Sequence, residues 1–134
     1  MTRPRSIAFI LLVGCTAVLA QTPQLDLCMA TADTQMAMNR CADSEALRSA
    51  DELAGLHNRL VITARSVPGA VERIIAAERA WASYRDAYIN AMYPAEDKQA
   101  AYGSVFQTEV LLLRADLTRR QILALRDLLK RYQR

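Results

Sequence analysis

The sequence predicts an all-α domain built as a three-helix antiparallel bundle. No segment alternates apolar and polar residues as a half-buried strand would, and Ala, Leu, Arg, Glu and Gln, all good helix formers, are abundant. Apolar residues recur at three- and four-residue steps, and short connections between the helical stretches favour antiparallel neighbours. With 134 residues, 52% of them hydrophobic, the chain is long enough for one domain.

The first 20 residues are predicted to be a cleavable signal peptide that precedes the domain. Arg3 and Arg5 come before an almost wholly apolar stretch over residues 7–20, and polar residues follow. This pattern is typical of a secretory leader, and its apolar stretch of about 14 residues is shorter than the roughly 20 that a membrane-spanning helix needs. We therefore expect a mature domain of residues 21–134 that is periplasmic or secreted.

Two cleavage sites fit this leader. Val18-Leu19-Ala20 fits ordinary signal peptidase, whereas Leu12-Val13-Gly14-Cys15 fits a bacterial lipobox in which Cys15 becomes the acylated first residue. Cleavage after Ala20 is the preferred prediction, because residues 16–20 stay apolar, as the end of a leader does. The alternative is a lipoprotein anchored to the membrane through Cys15 and facing the periplasm.

Cysteine usage agrees with export. Either cleavage removes Cys15 from the free thiols and leaves Cys28 and Cys41, an even number for an oxidising compartment. A disulfide between them closes a loop of about 13 residues, worth about 3 kcal/mol in the chain-entropy description. The bond would tie residues 21–32 onto the first long helix; the alternative is two unpaired buried thiols.

The first long helix is predicted from Asp33 to Arg65, with Asp33 or Thr34 as its N-cap. Gly55 is a weak point at which we expect a kink. The apolar residues at helical steps, which mark the buried face, are Ala42, Ala46, Leu53, Leu56, Leu60 and Ala64.

The second long helix is predicted from Ala70 to Tyr93. Pro68 interrupts the preceding helix and suits the first turn of this one, and Pro94 stops it. Its apolar stripe consists of Ile74, Ala77, Trp81, Tyr84 and Tyr88.

The third long helix is predicted from Ser104 to Tyr132, after a polar connection over residues 95–103. Ser104 and Gln107 have the spacing of a capping box. Residues 110–113 are apolar around most of one turn, which favours a deeply buried central helix; the alternative is a surface for a protein partner.

The residue inventory argues against catalysis, metal binding and nucleic-acid binding. The carboxylates are scattered, His57 has no Cys or Asp at ligand spacing, and the sequence has neither a nucleophile elbow nor a Gly-rich phosphate loop. The net charge is +3, of which leader cleavage would remove Arg3 and Arg5, and no basic run tracks a phosphate backbone. We expect a protein that is not an enzyme, uses no cofactor and contacts a membrane through a lipid anchor or not at all.

Three sequence strings carry a resemblance to a known family. They are T-Q-x-x-M-N-x-C-A over residues 34–42, R-A-W-x-x-Y-R-D-A over residues 79–87, and L-T-R-R from residue 117. In this order they resemble the LprI-type lysozyme inhibitor family of small bacterial envelope proteins, over roughly residues 28–129. The residues that match the family motifs are Gln35, Met38, Asn39, Trp81, Tyr84, Arg85, Asp86, Leu117 and Thr118.

The resemblance implies an exported helical domain, tied by disulfides, that binds lysozyme and protects the cell wall. Such a protein would occlude the sugar-binding cleft of the enzyme with an exposed segment, for which residues 24–33 and 95–103 are candidates. Glu96 and Asp97 in the second segment suit a basic partner. The alternative function is a periplasmic structural or protein-interaction module with no lysozyme role.

The motif residues also have a structural interpretation. Trp81 and Arg85 are four residues apart, so the guanidinium can lie over the indole ring, with Glu78 at the border of the same face. We interpret these residues mainly as a packed, hydrogen-bonded junction between helices; the alternative is that Trp81 or Arg85 contacts a partner. The resemblance places Ile89 and Leu113 where the family commonly has a second cysteine pair, so packing would replace a disulfide there.

Overall fold

The computed structural model describes residues 22–134. Its α-helices are α1 (Pro23–Thr31), α2 (Gln35–Thr63), α3 (Ala70–Met92), α4 (Lys98–Tyr102) and α5 (Phe106–Tyr132), and a 3-10 turn lies at Ala64–Ser66. The predicted all-α class is confirmed, and two short helices, α1 and α4, join the three long ones. The predicted leader and Cys15 lie outside the described residues. None of the helices described here is both long enough and apolar enough to cross a membrane.

The start of α2 follows local sequence signals. Thr34 caps it, because the Thr34 hydroxyl accepts a hydrogen bond from the Ala37 N–H at 3.1 Å. The helix then continues through Gly55 as far as Thr63. Glycine lowers helix propensity by about 1 kcal/mol, which the packing of a 29-residue helix readily outweighs.

Helix α3 begins at Ala70 as predicted, but the place of Pro68 and the start of α5 differ from the prediction. Helix α3 begins at Ala70 after Gly69, whose φ of 72° favours glycine, so Pro68 lies in the turn and not in the first helical turn. The predicted capping box at Ser104 is wrong. Residues 103–106 form a turn in which the Phe106 N–H contacts the Gly103 carbonyl at 3.4 Å, and α5 begins only after it, with no side-chain cap.

Helices α2 and α5 run in the same direction and pack along most of their length. Their cross-contacts advance together, from Gln35 with Thr108 to Glu45 with Arg119. In this register Ala42 and Ala115, both 0% exposed, lie at similar levels. Small side chains here let the two backbones approach closely, and we call this contact the α2–α5 seam.

Helix α3 is antiparallel to α5 but stands further away. Glu78 contacts Gln121, and Asp86 contacts Arg114, so the two chains run in opposite directions. The backbone of α3 approaches α5 at few points and α2 hardly at all. The three long helices converge near the 64–69 turn, where the main buried cluster consists of Leu53, Leu56, Leu60, Ala64, Ala70, Ile74, Ile122, Leu125 and Leu129.

The short helix α1 is fastened to α2. The predicted Cys28–Cys41 disulfide is confirmed, with a Cα–Cα distance of 5.7 Å. Leu25, a residue of α1, is buried. The Thr22 hydroxyl caps the helix by accepting a hydrogen bond from the Leu25 N–H at 3.3 Å. Residues 22–32 therefore form part of the domain.

The apolar turn at residues 110–113 is half-buried, so the prediction of a deeply buried central helix is wrong at this level. Four consecutive residues point around the whole circumference of a helix, and burying all of them would need cover on every side. In the described chain only two long helices, α2 and α3, flank α5.

Candidate functional site

The first motif string builds a polar junction across the α2–α5 seam. The Gln35 side-chain amide donates to Thr108 Oγ1 at 2.7 Å and to Asn39 Oδ1 at 3.1 Å. The Thr108 hydroxyl in turn donates to Asn39 Oδ1. Thr108 is buried, so these bonds satisfy polar groups that would otherwise be costly inside the fold. Met38, which belongs to the same string, is half-buried.

The second motif string forms a group of interacting aromatic and charged side chains on α3. The guanidinium carbon of Arg85 lies 5.1 Å from the centroid of the Trp81 ring, as the four-residue spacing predicted. Arg85 Nε also donates to Asp86 Oδ1 at 2.9 Å, and Arg114 Nη1 on α5 lies 3.6 Å from the same oxygen. The hydrogen bond from Arg85 lowers the pKa of the Asp86 carboxyl, and the charge of Arg114 acts in the same direction.

Trp81 and Arg85 also line an open groove of about 340 Å³ between α2 and α3. Glu78 borders it and is held by a 3.2 Å hydrogen bond from the Gln121 side chain. His57 Nε2 is buried here without a hydrogen-bond partner in the described part of the chain. The full lining is Ala50, Leu53, Ala54, His57, Glu78, Trp81, Ala82, Arg85 and Thr118.

The other motif residues divide between core and surface. Leu117 and Thr118 are buried, and the Thr118 hydroxyl donates to the Arg114 carbonyl of its own helix at 2.8 Å. Tyr84 is 58% exposed on the outer face of α3. Ile89 is buried and Leu113 half-buried, at the positions where the resemblance suggested packing in place of a disulfide.

Sequence reasoning missed a buried ionic cluster around Glu45. The Glu45 side chain is 2% exposed and accepts from Arg119 Nη1 at 2.7 Å and from the Thr22 hydroxyl at 2.9 Å. Arg48 pairs with the same carboxylate and donates to Thr22 Oγ1 at 2.6 Å. The cluster joins the start of α1, the middle of α2 and α5. Its sequence signal is weak, because Arg119 lies 74 positions from Glu45.

Three aromatic rings close one end of the molecule, which we call the aromatic end. Tyr93 meets Tyr102 and Phe106 edge-on, with ring centroids 5.3 and 5.1 Å apart, and Tyr102 stacks on Phe106 at 5.6 Å. The Tyr93 hydroxyl donates to Glu109 Oε2 at 3.3 Å. Burial and the neighbouring Glu109 carboxylate raise the pKa of Tyr93.

The aromatic rings fix the connection at residues 93–105. The Tyr102 hydroxyl accepts from the Ala95 N–H at 3.1 Å, and Lys98 Nζ donates to the Tyr93 carbonyl. Asp97 caps α4 by accepting from the Ala100 N–H at 2.9 Å. The Glu96 side chain is exposed in this connection. Of the two acidic residues predicted to face a partner, Glu96 is therefore exposed without a bonding partner among residues 22–134, and Asp97 also has a structural role.

Charge is distributed unequally between the two ends. The aromatic end carries the acidic residues Asp33, Glu96, Asp97 and Glu109, with Lys98 among them. The opposite end, around the 64–69 turn and the end of α5, we call the basic end. It carries Arg59, Arg65, Arg73, Lys130, Arg131 and Arg134, with Glu72 and Asp127 among them.

The geometry of the described residues supports binding of a partner. Across residues 22–134 no group of three or more His, Cys, Asp or Glu side chains is arranged to hold a metal ion. The described carboxylates pair with basic side chains, as Glu45 does, accept other hydrogen bonds, as Glu78 does, or lie apart on the surface. What the described chain offers a partner is an open groove, an exposed helix face and two ends of opposite charge.

The chain matches a known protein family. The family described as Lysozyme inhibitor LprI matches residues 28–125, most of the chain. No curated protein and no solved structure matches significantly.

Proposed function

This chain belongs to the LprI lysozyme inhibitor family, whose members are inhibitors and not enzymes, and from this premise we propose that it binds a lysozyme-type muramidase. Binding would occlude the sugar-binding cleft of the enzyme and so protect peptidoglycan. The family match carries this proposal. The hydrogen-bonded connection at residues 93–105 adds support, because preorganised groups lose little entropy on binding.

We place the contact at the aromatic end. Glu96 is exposed on a connection that Tyr102, Lys98 and the Asp97 cap hold in one conformation. Acidic residues at this end suit a cationic enzyme, and complementary charge mainly raises the association rate. The domain has little net charge once the leader is removed, so the attraction has to be local.

The decisive experiment is an inhibition assay with the purified mature protein against muramidases of several structural classes. We expect at least one class to be inhibited with one-to-one stoichiometry. Absence of inhibition for every class at about tens of micromolar, well above the usual range for standard-size interfaces, would contradict the proposed function.

The contact site is tested separately with Glu96→Lys. We expect a several-fold slower association that becomes less salt-dependent, because a steering charge is reversed. Asp51→Lys is the matched control, since Asp51 is exposed on the middle of α2 and the change in net charge is the same. If inhibition persists with equal rates in both variants, the contact lies elsewhere on the molecule.

Export is also part of the proposal. We propose that cleavage after Ala20 releases a periplasmic or secreted domain, with lipidation at Cys15 as the alternative. Intact mass of the protein from its native host distinguishes the two, because a chain starting at Gln21 and a chain with a diacylglycerol adduct on Cys15 differ in mass. The mass before and after reduction also reports the Cys28–Cys41 bond.

A second function, an envelope interaction module without a lysozyme role, is favoured by the outer face of α3. Tyr84, Tyr88 and Met92 are exposed at four-residue spacing, and the two tyrosine rings are 5.9 Å apart. Aromatic residues are enriched in protein interfaces. If the protein inhibits no muramidase and Tyr88→Ser removes a crosslinked envelope partner, this second function replaces the first.

A further inference from the structure

The basic end combines charge with exposed apolar side chains. Arg59, Arg65 and Arg131 form no ion pair with a described acidic residue. Ile62 is 57% exposed and Val67 is 45% exposed, each within a few residues of these arginines. Isolated surface charges stay fully hydrated, so the unpaired arginines remain available to an anionic partner.

Backbone hydrogen bonds hold the turn that carries Val67, whose side chain is exposed. The Val67 N–H donates to the Ala64 carbonyl at 3.0 Å, and the Ala70 N–H donates to the Val67 carbonyl at 3.1 Å. The Arg73 guanidinium lies over the same turn, with Nη1 3.4 Å from the Gly69 carbonyl. The C-terminal part of α5 reaches this end, because Leu129 belongs to the buried cluster beneath the turn.

We propose that the basic end docks onto the surface of a bilayer that contains anionic phospholipid headgroups. Each arginine near such a surface is attracted to the headgroup phosphates, and the exposed apolar side chains enter the boundary between headgroups and acyl chains. A soluble polyanion would use the arginines alone, so Ile62 and Val67 favour the bilayer. Docking in this orientation directs the acidic aromatic end away from the membrane. It does not depend on inhibition of a muramidase.

The test is co-sedimentation with large unilamellar vesicles. The protein carries Cys15→Ser, so that no lipid can be attached, and its intact mass is verified after export. We expect sedimentation with vesicles of phosphatidylglycerol and phosphatidylcholine but not with phosphatidylcholine alone. Binding should weaken as salt shortens the screening length from about 10 Å at 0.1 M.

Two pairs of variants locate the surface. Arg65→Gln with Arg73→Gln should weaken binding on the order of tenfold or more, whereas Arg40→Gln with Arg79→Gln, exposed arginines outside the basic end, should leave it unchanged. Val67→Ser should weaken binding several-fold, whereas Leu123→Ser, which removes an equally exposed apolar side chain on α5, should not.

Three results would overturn the proposal. The first is no sedimentation with the anionic vesicles. The second is equal weakening by both arginine pairs, which would mean that total charge and not this end determines binding. The third is no effect of Val67→Ser together with equally tight binding to polyphosphate, which would make the surface a general polyanion site.

Discussion

The α2–α5 seam and the α3 side of the molecule differ in how closely their helices pack. Along the seam, small residues such as Ala42 and Ala115 bring two backbones together, and Gln35, Asn39 and Thr108 satisfy one another inside it. On the other side, α3 stands away from α2 and leaves a groove. The string at residues 34–42 therefore belongs to the closely packed part of the fold, and the string at residues 79–87 belongs to its accessible part.

The largest expected loss of stability comes from opening a cavity where the seam meets the main buried cluster. Leu60 is 0% exposed, so Leu60→Ala should lower the free energy of unfolding by about 4 kcal/mol, in the upper part of the range for such truncations. The matched change on the open side, Tyr84→Ala, should cost about 0.5 kcal/mol or less. Urea denaturation of both variants checks the contrast, and similar losses in both would remove the distinction between the two sides.

The next effect concerns the ionic cluster on the seam. Glu45→Ala should lower the free energy of unfolding by about 3 kcal/mol, because Arg119 then loses the nearer partner of a largely buried charge and keeps only the 3.5 Å contact with Asp116. Glu52→Ala is the control, since its pair with Arg126 is half-exposed and is worth about 1 kcal/mol or less. A loss at position 45 no larger than the loss at position 52 would show that burial of the pair does not matter.

These contacts mark where sequence reasoning succeeds and where it stops. The Thr34 cap, the Trp81–Arg85 stack and the cysteine pair follow from residues within about one loop or one helical turn of each other. The Glu45–Arg119 pair depends on the register between two helices, which no local pattern specifies. The open groove was also not predicted, because apolar periodicity tells which face is buried but not how closely a neighbour approaches.

The same limit explains the short helices. Helix α1 has nine residues with no pronounced apolar face, and isolated helices of that length are marginal in water. The Thr22 cap and the Cys28–Cys41 bond hold it in place. Its existence therefore depends on tertiary contacts that a segment-by-segment interpretation does not contain.

The Cys28–Cys41 disulfide fastens α1 to the edge of the seam. Replacing Cys28 and Cys41 together with Ser should lower the free energy of unfolding by about 3 kcal/mol in the chain-entropy description. Amide exchange should accelerate over α1 but remain slow at the centre of α2 and α5, since the seam does not need the bond. Uniformly faster exchange along α5 would show that the seam and α1 unfold as one unit.

The smallest effect on stability is expected at the aromatic end, where Tyr93, which follows α3, contacts Phe106 at the start of α5. Burial first, and the Glu109 carboxylate second, raise the pKa of Tyr93, so the folded state favours the neutral phenol. The unfolded chain loses this proton first as pH rises past 10.0, the ordinary tyrosine pKa. This contribution to stability is therefore present below that pH and is lost as pH rises through the raised folded-state pKa.

Tyr93→Phe should make the free energy of unfolding fall less steeply with alkaline pH, as measured by urea denaturation between about pH 9 and 11, around the ordinary tyrosine pKa. Glu109→Gln keeps the ring contacts of Tyr93 and removes the neighbouring charge, so it should reduce the slope only in part. This partial effect distinguishes burial from charge repulsion as the main cause. A slope in Tyr93→Phe equal to that of the unaltered protein would mean that the aromatic end opens before Tyr93 titrates, and that the connection bearing Glu96 is not held rigid.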